Sequence, residues 1–458
     1  MNTLKTTKAK FFYACSALGV NLLNLMMGSY LCSAIIASGF GEDAIKNHTF
    51  EGHDLVIAGL WVVFGVVAKI IDGIIDIPMA QLSDRFKSKW GRRRPSILIG
   101  MIIMMASYAL FMYVPNKEGI TLFNTIYFFV ILAIFYTSYT LTMVSYYATF
   151  TEIVDNEKDR KFISNVKSVC DIVYFILGYV VVSAMLKGFN IRIVALLVLP
   201  LTLTMLIPLF MIKEESTVGG KGKVEQTVNI VKSLGYTLKN KDFILWMVVY
   251  SFMTFGVQLF LSGINEYFSV TGLSMIIVMA SSFSLVPFTF IIYNYLVRKK
   301  GFRFAFQYTL LVFAISMFCM FLVSYLDKGL LKTILAIVCG IGCSFAIGAI
   351  FSVAYSIPSQ LAADDEERTG ISHSAMYFAV QGLFAGVASG IGGTAVLTLL
   401  KKTTMFDKPG SYYITLVTSI ACLVAFALTY ILPRSIVELG MDKPKVVEED
   451  EEFLIDEI

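Results

Sequence analysis

YYATFTEIVDNEKDRKFIS, residues 146–164, is echoed without a gap by AYSIPSQLAADDEERTGIS, residues 354–372, at an offset of 208. Tyr147 aligns with Tyr355, Arg160 with Arg368 and Ser164 with Ser372, and further on Gly178 aligns with Gly386. Each copy leaves an apolar run, crosses an acidic and then arginine-bearing loop, and enters the next apolar run. A repeat of this kind predicts two related halves inserted in the same orientation.

The surrounding runs identify the solvent. The chain of 458 residues is 57% hydrophobic and 15% charged, against about 25% charged in soluble domains. Runs of the roughly 20 apolar residues that a helix needs to cross hydrocarbon recur along it. Twelve are expected, near 11–40, 54–80, 96–115, 122–149, 162–186, 192–212, 243–269, 274–297, 305–326, 331–357, 371–400 and 411–432. None alternates with the period of a membrane β-strand. The fold class is therefore an all-α membrane protein of twelve transmembrane helices, embedded in a lipid bilayer. The expected organisation is a six-helix half at 1–212, a polar linker at 213–242, a second half at 243–433 and an acidic tail at 434–458.

Basic residues orient the bundle. The termini and the loops after even-numbered helices hold 26 of the 37 Lys and Arg, the opposite loops hold 9, and Lys69 and Lys167 lie within helices. Both termini are expected in the cytoplasm. The first run exceeds the 7–15 residues, approximately, of a signal-peptide core and is read as retained. The net charge of +4 follows from these loops and gives no reason to expect nucleic acid. Seven cysteines, all within apolar runs, and three scattered histidines imply neither a disulfide framework nor a metal site.

Ionisable groups inside a membrane cost about 2.5–3.5 kcal/mol each on insertion scales and default to function. Six stand out: Lys69, Asp72, Asp76, Lys167, Asp171 and Glu266. In KIIDGIIDIP, residues 69–78, Lys69, Asp72 and Asp76 fall within about 60° on a helical wheel. Gly65 and Gly73 beside them invite a close neighbour. One lysine against two aspartates leaves a negative charge that calls for a cation or a proton. The alternative is a static ion pair that only packs helices. Lys167 and Asp171 form an i, i+4 pair, and Glu266, near the outer end of the seventh helix, suits an outer gate. The second half offers Gln258, Asn265, Asn294 and Gln381, neutral groups with many aromatics, which suit a polyhydroxylated solute. No hydrolase, metalloprotease or nucleotide-binding motif is present, so the chain is not expected to be an enzyme or to carry a cofactor.

DGIIDIPMAQLSDRFKSKWGRRRP, residues 72–95, resembles the signature of the glycoside-pentoside-hexuronide:cation symporters, melibiose permease and sucrose carriers among them, within the major facilitator superfamily. The resemblance implies a major facilitator fold and cation binding at Asp72 and Asp76 with Lys69 nearby. Lys167 and Asp171 would modulate them, while Asp84, Arg85, Arg92, Arg93 and Arg94 match a conformational latch. By the same correspondence the solute path includes Asn21, Thr140, Tyr147 and Gln381, to which Gln258 is added. Three departures matter: Asn21 and Met143 stand where melibiose permease has sugar-binding acids, and Ile75 stands where it has an asparagine. Fewer oxygen ligands favour H+ over Na+ as the coupling ion. The expectation is a monomeric, cation-coupled sugar or glycoside symporter of a bacterial plasma membrane. The alternatives are a proton-coupled exporter of amphipathic compounds, a carrier of nucleosides or other neutral metabolites, and a non-transporting membrane sensor, which would need no aspartate stripe.

Overall fold

Helical rods fill the computed structural model, which describes residues 6–152, 157–212, 216, 237–327, 329–369 and 374–437. The linker call at 213–242 and the tail call at 434–458 lie mostly outside those residues, as do 153–156 and 370–373 in the two copies of the repeat, while the acidic stretch 363–368, expected as a loop, is the end of a helix. Among the described residues the rods number twelve: α1 (7–34), α2 (58–85), α3 (93–111), α4 (122–152), α5 (157–185), α6 (191–211), α7 (241–271), α8 (275–300), α9 (302–324), α10 (330–369), α11 (374–402) and α12 (410–431). The expected runs each find a rod, with α10 reaching twelve residues beyond its apolar stretch because the helix continues through Pro358 into polar sequence.

Nine stretches among the described residues are long and apolar enough to cross a membrane. The rods that fall short are informative. α2 and α5 carry the lysines and aspartates, and α2 also breaks at Ile75 between Ala58–Ile74 and Asp76–Arg85. α8 and α9 run together across Gly301, whose φ of 83° and ψ of 166° mark a sharp bend. Three rods contain π-helical turns: Met27–Leu31 in α1, Leu177–Val181 in α5 and Ile391–Val396 in α11.

Lipid tails are as apolar as leucine, so helices in a membrane associate through close packing and hydrogen bonds. Both devices are present. Tyr13 and Tyr146 donate their hydroxyls to each other's carbonyls at 3.1 and 2.7 Å, clamping α1 to α4. In the second half Thr418 donates to Gly256 O at 3.1 Å, and Ser282 to Gly340 O at 2.8 Å. Two of the seams between the halves run along the rods. Phe283 of α8 stacks on Phe175 and Tyr179 of α5, with centroids 5.6 and 6.1 Å apart. On the other side α2 lies on α11 through glycines: a Cβ at Gly73 would stand 2.6 Å from Gly382 O, and one at Gly386 2.6 Å from Lys69 O. The close neighbour that Gly65 and Gly73 call for is thus α11.

For orientation, the end of the bundle carrying the start of α1 and the end of α12 is here called the tail face, and the opposite end the loop face. Gly301, with φ and ψ that only glycine adopts readily, makes the α8–α9 elbow on the tail face without a loop. Gly301→Ala should cost about 1–3 kcal/mol and lower the unfolding temperature in detergent, whereas Gly59→Ala, a helical position with open space around its Cβ, should not lower it.

Candidate functional site

Two polar clusters sit in the first half. In the first, Lys69 lies 3.4 Å from Asp72 and 4.0 Å above the centroid of the Tyr136 ring of α4. The side chains of Lys69 and Asp72 are only 20% and 28% exposed. Asp76, one turn on, is exposed and lies close to Asp72 and to buried Thr140 of α4. The stripe on α2 therefore exists, and it joins the static pair and the spare carboxylate in one feature: Asp72 pairs with Lys69, while Asp76 adds the second negative charge beside it.

The second cluster links α1, α4 and α5. Lys167 pairs with Asp171 at 2.9 Å and stands 5.2 Å over the Tyr147 ring. Asn21 donates to Asp171 at 3.4 Å and accepts from the Tyr139 hydroxyl at 3.2 Å. Tyr147 is 41% exposed, so this cluster meets solvent through an aromatic edge and a lysine. It presents both donors and acceptors, the equipment for recognising hydroxyl groups.

The candidates in the second half separate. Gln258 lines a cavity between the halves and donates to Ser262 at 2.9 Å. Gln381 is buried and accepts from the Trp246 indole at 3.3 Å, packed inside its own half. Asn265 ties the halves together by donating to Ser29 O at 2.7 Å, and Asn294 caps back onto Phe290 O. Of the latch residues, Arg93 is buried and donates to Ser83, which also accepts from Ser145 of α4 at 2.8 Å. Arg92 accepts through its carbonyl from Ser96, and Arg94 faces the Trp90 ring at 5.8 Å. Asp84 and Arg85 end α2, and their side chains lie outside the described ones.

The second half also contains buried charge. Lys401, which the sequence places among loop residues, is in the last turn of α11 and pairs with Glu266 of α7 at 2.7 Å, their side chains 2% and 0% exposed. Lys332 of α10 is also buried and donates to three backbone carbonyls: Thr271, Ser324 and Leu326. The signal available was Glu266 itself, since a buried carboxylate demands a cationic or donor partner. Tyr136 and Tyr139 were also missed, because tyrosines in membrane helices are too common to single out.

The cavity between the halves is bounded by Cys32, Ser33, Lys69, Tyr136, Gln258 and Lys401, among others, and encloses about 40 Å³. Ligand pockets usually measure about 300–1,000 Å³. The two halves must therefore move apart before a solute of several rings occupies this space.

A twelve-rod bundle with ionisable groups facing a cavity at its centre is the geometry of a transporter, and sequence comparison agrees. Residues 12–432 match the family described as MFS/sugar transport protein. The chain belongs to that family. It is a multi-pass membrane transporter of the major facilitator type. A segment of 99 residues is 34% identical to an uncharacterized symporter of Synechocystis sp., covering 21% of this chain and 18% of that relative. The aligned part is thus under a fifth of the relative's length. The fold is shared with the nucleoside transporter NupG, at 17% identity and a TM-score of 0.57 over 92% of this chain and 98% of that one. It is shared equally with a bacterial homologue of the iron transporter ferroportin, at 11% identity and a TM-score of 0.61 over 93% and 99% of the two chains.

Asp171 holds both Lys167 and Asn21. Asp171→Asn should lower the unfolding temperature, corresponding to about 1.5–3 kcal/mol for hydrogen bonds to a charged group. Asp171→Asn combined with Lys167→Gln should recover part of that loss, a coupling that a double-mutant cycle in detergent measures.

Proposed function

We propose that the protein is a cation-coupled symporter of a sugar or glycoside, with H+ preferred to Na+, working by alternating access. The observation that carries this reading is the charge on α2. Lys69, Asp72 and Asp76 sum to one negative charge, and the pairs Lys167–Asp171 and Glu266–Lys401 add nothing. The stripe carries a surplus of one negative charge, half-buried at Lys69 and Asp72 and open at Asp76, so one cation can be taken up at Asp76 and travel with a neutral solute. Asp76 is the group that takes the cation, since Asp72 already has Lys69. An exposed carboxylate backed by a threonine suits a proton better than a sodium ion, which asks for several oxygen ligands at once.

The solute side of the reading draws on the Asn21–Asp171–Lys167 cluster with Tyr139 and Tyr147. Donors and acceptors in fixed positions beside aromatic faces match the hydroxyls and C–H faces of a sugar ring, and the family's sugar-transport description supports the same class. We further propose, from the excess of Lys and Arg in the loops of the tail face, that this face is cytoplasmic in a bacterial plasma membrane. The carrier is taken to act as a monomer and to need no cofactor beyond its coupling ion.

Uptake of radiolabelled mono-, di- and trisaccharides into proteoliposomes, driven in turn by a pH gradient and by a sodium gradient, tests the proposal. The expected result is uptake of at least one sugar under the pH gradient. Asp76→Asn should abolish gradient-driven accumulation while leaving sugar exchange at equal concentrations. Uptake driven by sodium alone would overturn the proton assignment. Failure of every sugar, with uptake of a nucleoside in the same vesicles or expulsion of an amphipathic dye, would replace the solute class.

A further inference from the structure

We infer that Glu266, Lys401 and Ser33 form the outer gate of the transport path, the contact that closes the loop face and must part when that face opens. This depends on the protein being an alternating-access transporter and not on the identity of its solute.

The geometry is that of a door with its charge kept on one leaf. Glu266 on α7 and Lys401 on α11 belong to the same half, 2.7 Å apart and buried. Ser33, at the end of α1 in the other half, receives Lys401 twice: at its carbonyl, 3.1 Å away, and at its hydroxyl oxygen, 3.3 Å away. The Ser33 hydroxyl in turn donates to Glu266. The chain leaving α1 then folds over the lysine. The Phe40 ring lies 4.7 Å from the Lys401 ammonium, and Gly39, at φ 90°, passes so close that a Cβ there would stand 2.8 Å from the Lys401 side chain. The next residue repeats the tie further out, with Lys402 on α11 bonded to Asp54 and Ser38 of the first half. Asn265 to Ser29 O and Gly41 N to Ser269 Oγ, at 3.1 Å, are further bonds between the halves at the same end.

Two properties suit this cluster to a moving contact. Opening separates Lys401 from Ser33 and Phe40 but leaves it paired with Glu266, so no charge is stranded in hydrocarbon. The cluster also forms the upper wall of the cavity whose other wall is Lys69, and Gly386 and Gly390 of α11 pack on the turn of α2 that carries Lys69. The helix that holds the gate lysine is therefore in backbone contact with the helix that holds the cation site.

Cys32 lines the cavity just beneath the gate and is a built-in reporter. Its alkylation by a membrane-impermeant sulfonated maleimide is measured in sealed cells and in inverted vesicles, with Cys32→Ser as the blank. Phe406→Cys, at a position 91% exposed in the loop-face turn between α11 and α12, marks which preparation presents the loop face. Wild-type Cys32 should react slowly from that face. Glu266→Gln, Lys401→Met and the pair combined should each react at least about tenfold faster, as a gate released from its closed state requires. Lys332→Met, which removes a buried lysine bonded within one half, should not. The combined variant strands no charge and serves where a single variant fails to fold. Labelling of the combined variant at the wild-type rate, or equal acceleration by Lys332→Met, would overturn the gate.

Discussion

A lysine ammonium inside a lipid-embedded bundle needs compensation from every direction, and the way Lys69 obtains it sets the arrangement of much of this transporter. Asp72 lies on one side and the Tyr136 ring on another. Its backbone carbonyl is close enough to Gly386 to exclude any larger residue there. α2 is thereby fixed against α4 within its own half and against α11 in the other. Asp76 is left over from this arrangement: it is the carboxylate that the local pairing does not consume, and it faces solvent. In the coupling proposed above, the ion's arrival would change the charge balance at that one carboxylate.

Two of the interfaces between the halves are built from different materials. α5 and α8 meet through stacked aromatic rings, and α2 and α11 meet backbone to backbone through glycine. Aromatic faces tolerate sliding, since stacking geometries are broad. Glycine contacts fix distance and little else. Neither interface contains a buried charge that would have to be broken when the halves rock. Among the described residues the ion pairs Lys69–Asp72, Lys167–Asp171, Arg192–Glu51 and Glu266–Lys401 each lie on one side of the dividing plane. Lys402 with Asp54 crosses it at the loop face, where water is near.

Much of this was legible in the sequence. Helix number and order followed from apolar length, the halves from the repeat at offset 208, and the α2 stripe from wheel geometry. The α2 glycines announced a close partner but could not name α11, because a wheel describes one helix at a time. Lys401 was misplaced for a physical reason: two consecutive lysines after an apolar run look the same as the basic last turn that helices favour near their carboxyl ends, and only the tertiary structure shows that one of them turns inward to Glu266. Gln381, which the resemblance put on the solute path, has its amide oxygen accepting from the Trp246 indole within the second half, a contact that no single-helix pattern displays.

The π-helical turns in α1 and α11 have a further consequence for these helices. Each holds about one residue more than an α-turn, so side chains beyond it are rotated by about 100° relative to the phase set by the rest of the rod. Ser33 lies after the first such turn and Lys401 after the last. The gate residues are thus out of step with the faces of their own helices nearer the tail. One inserted residue in each rod lets the same helix present one stripe to the centre of the membrane and a different one to the door above it.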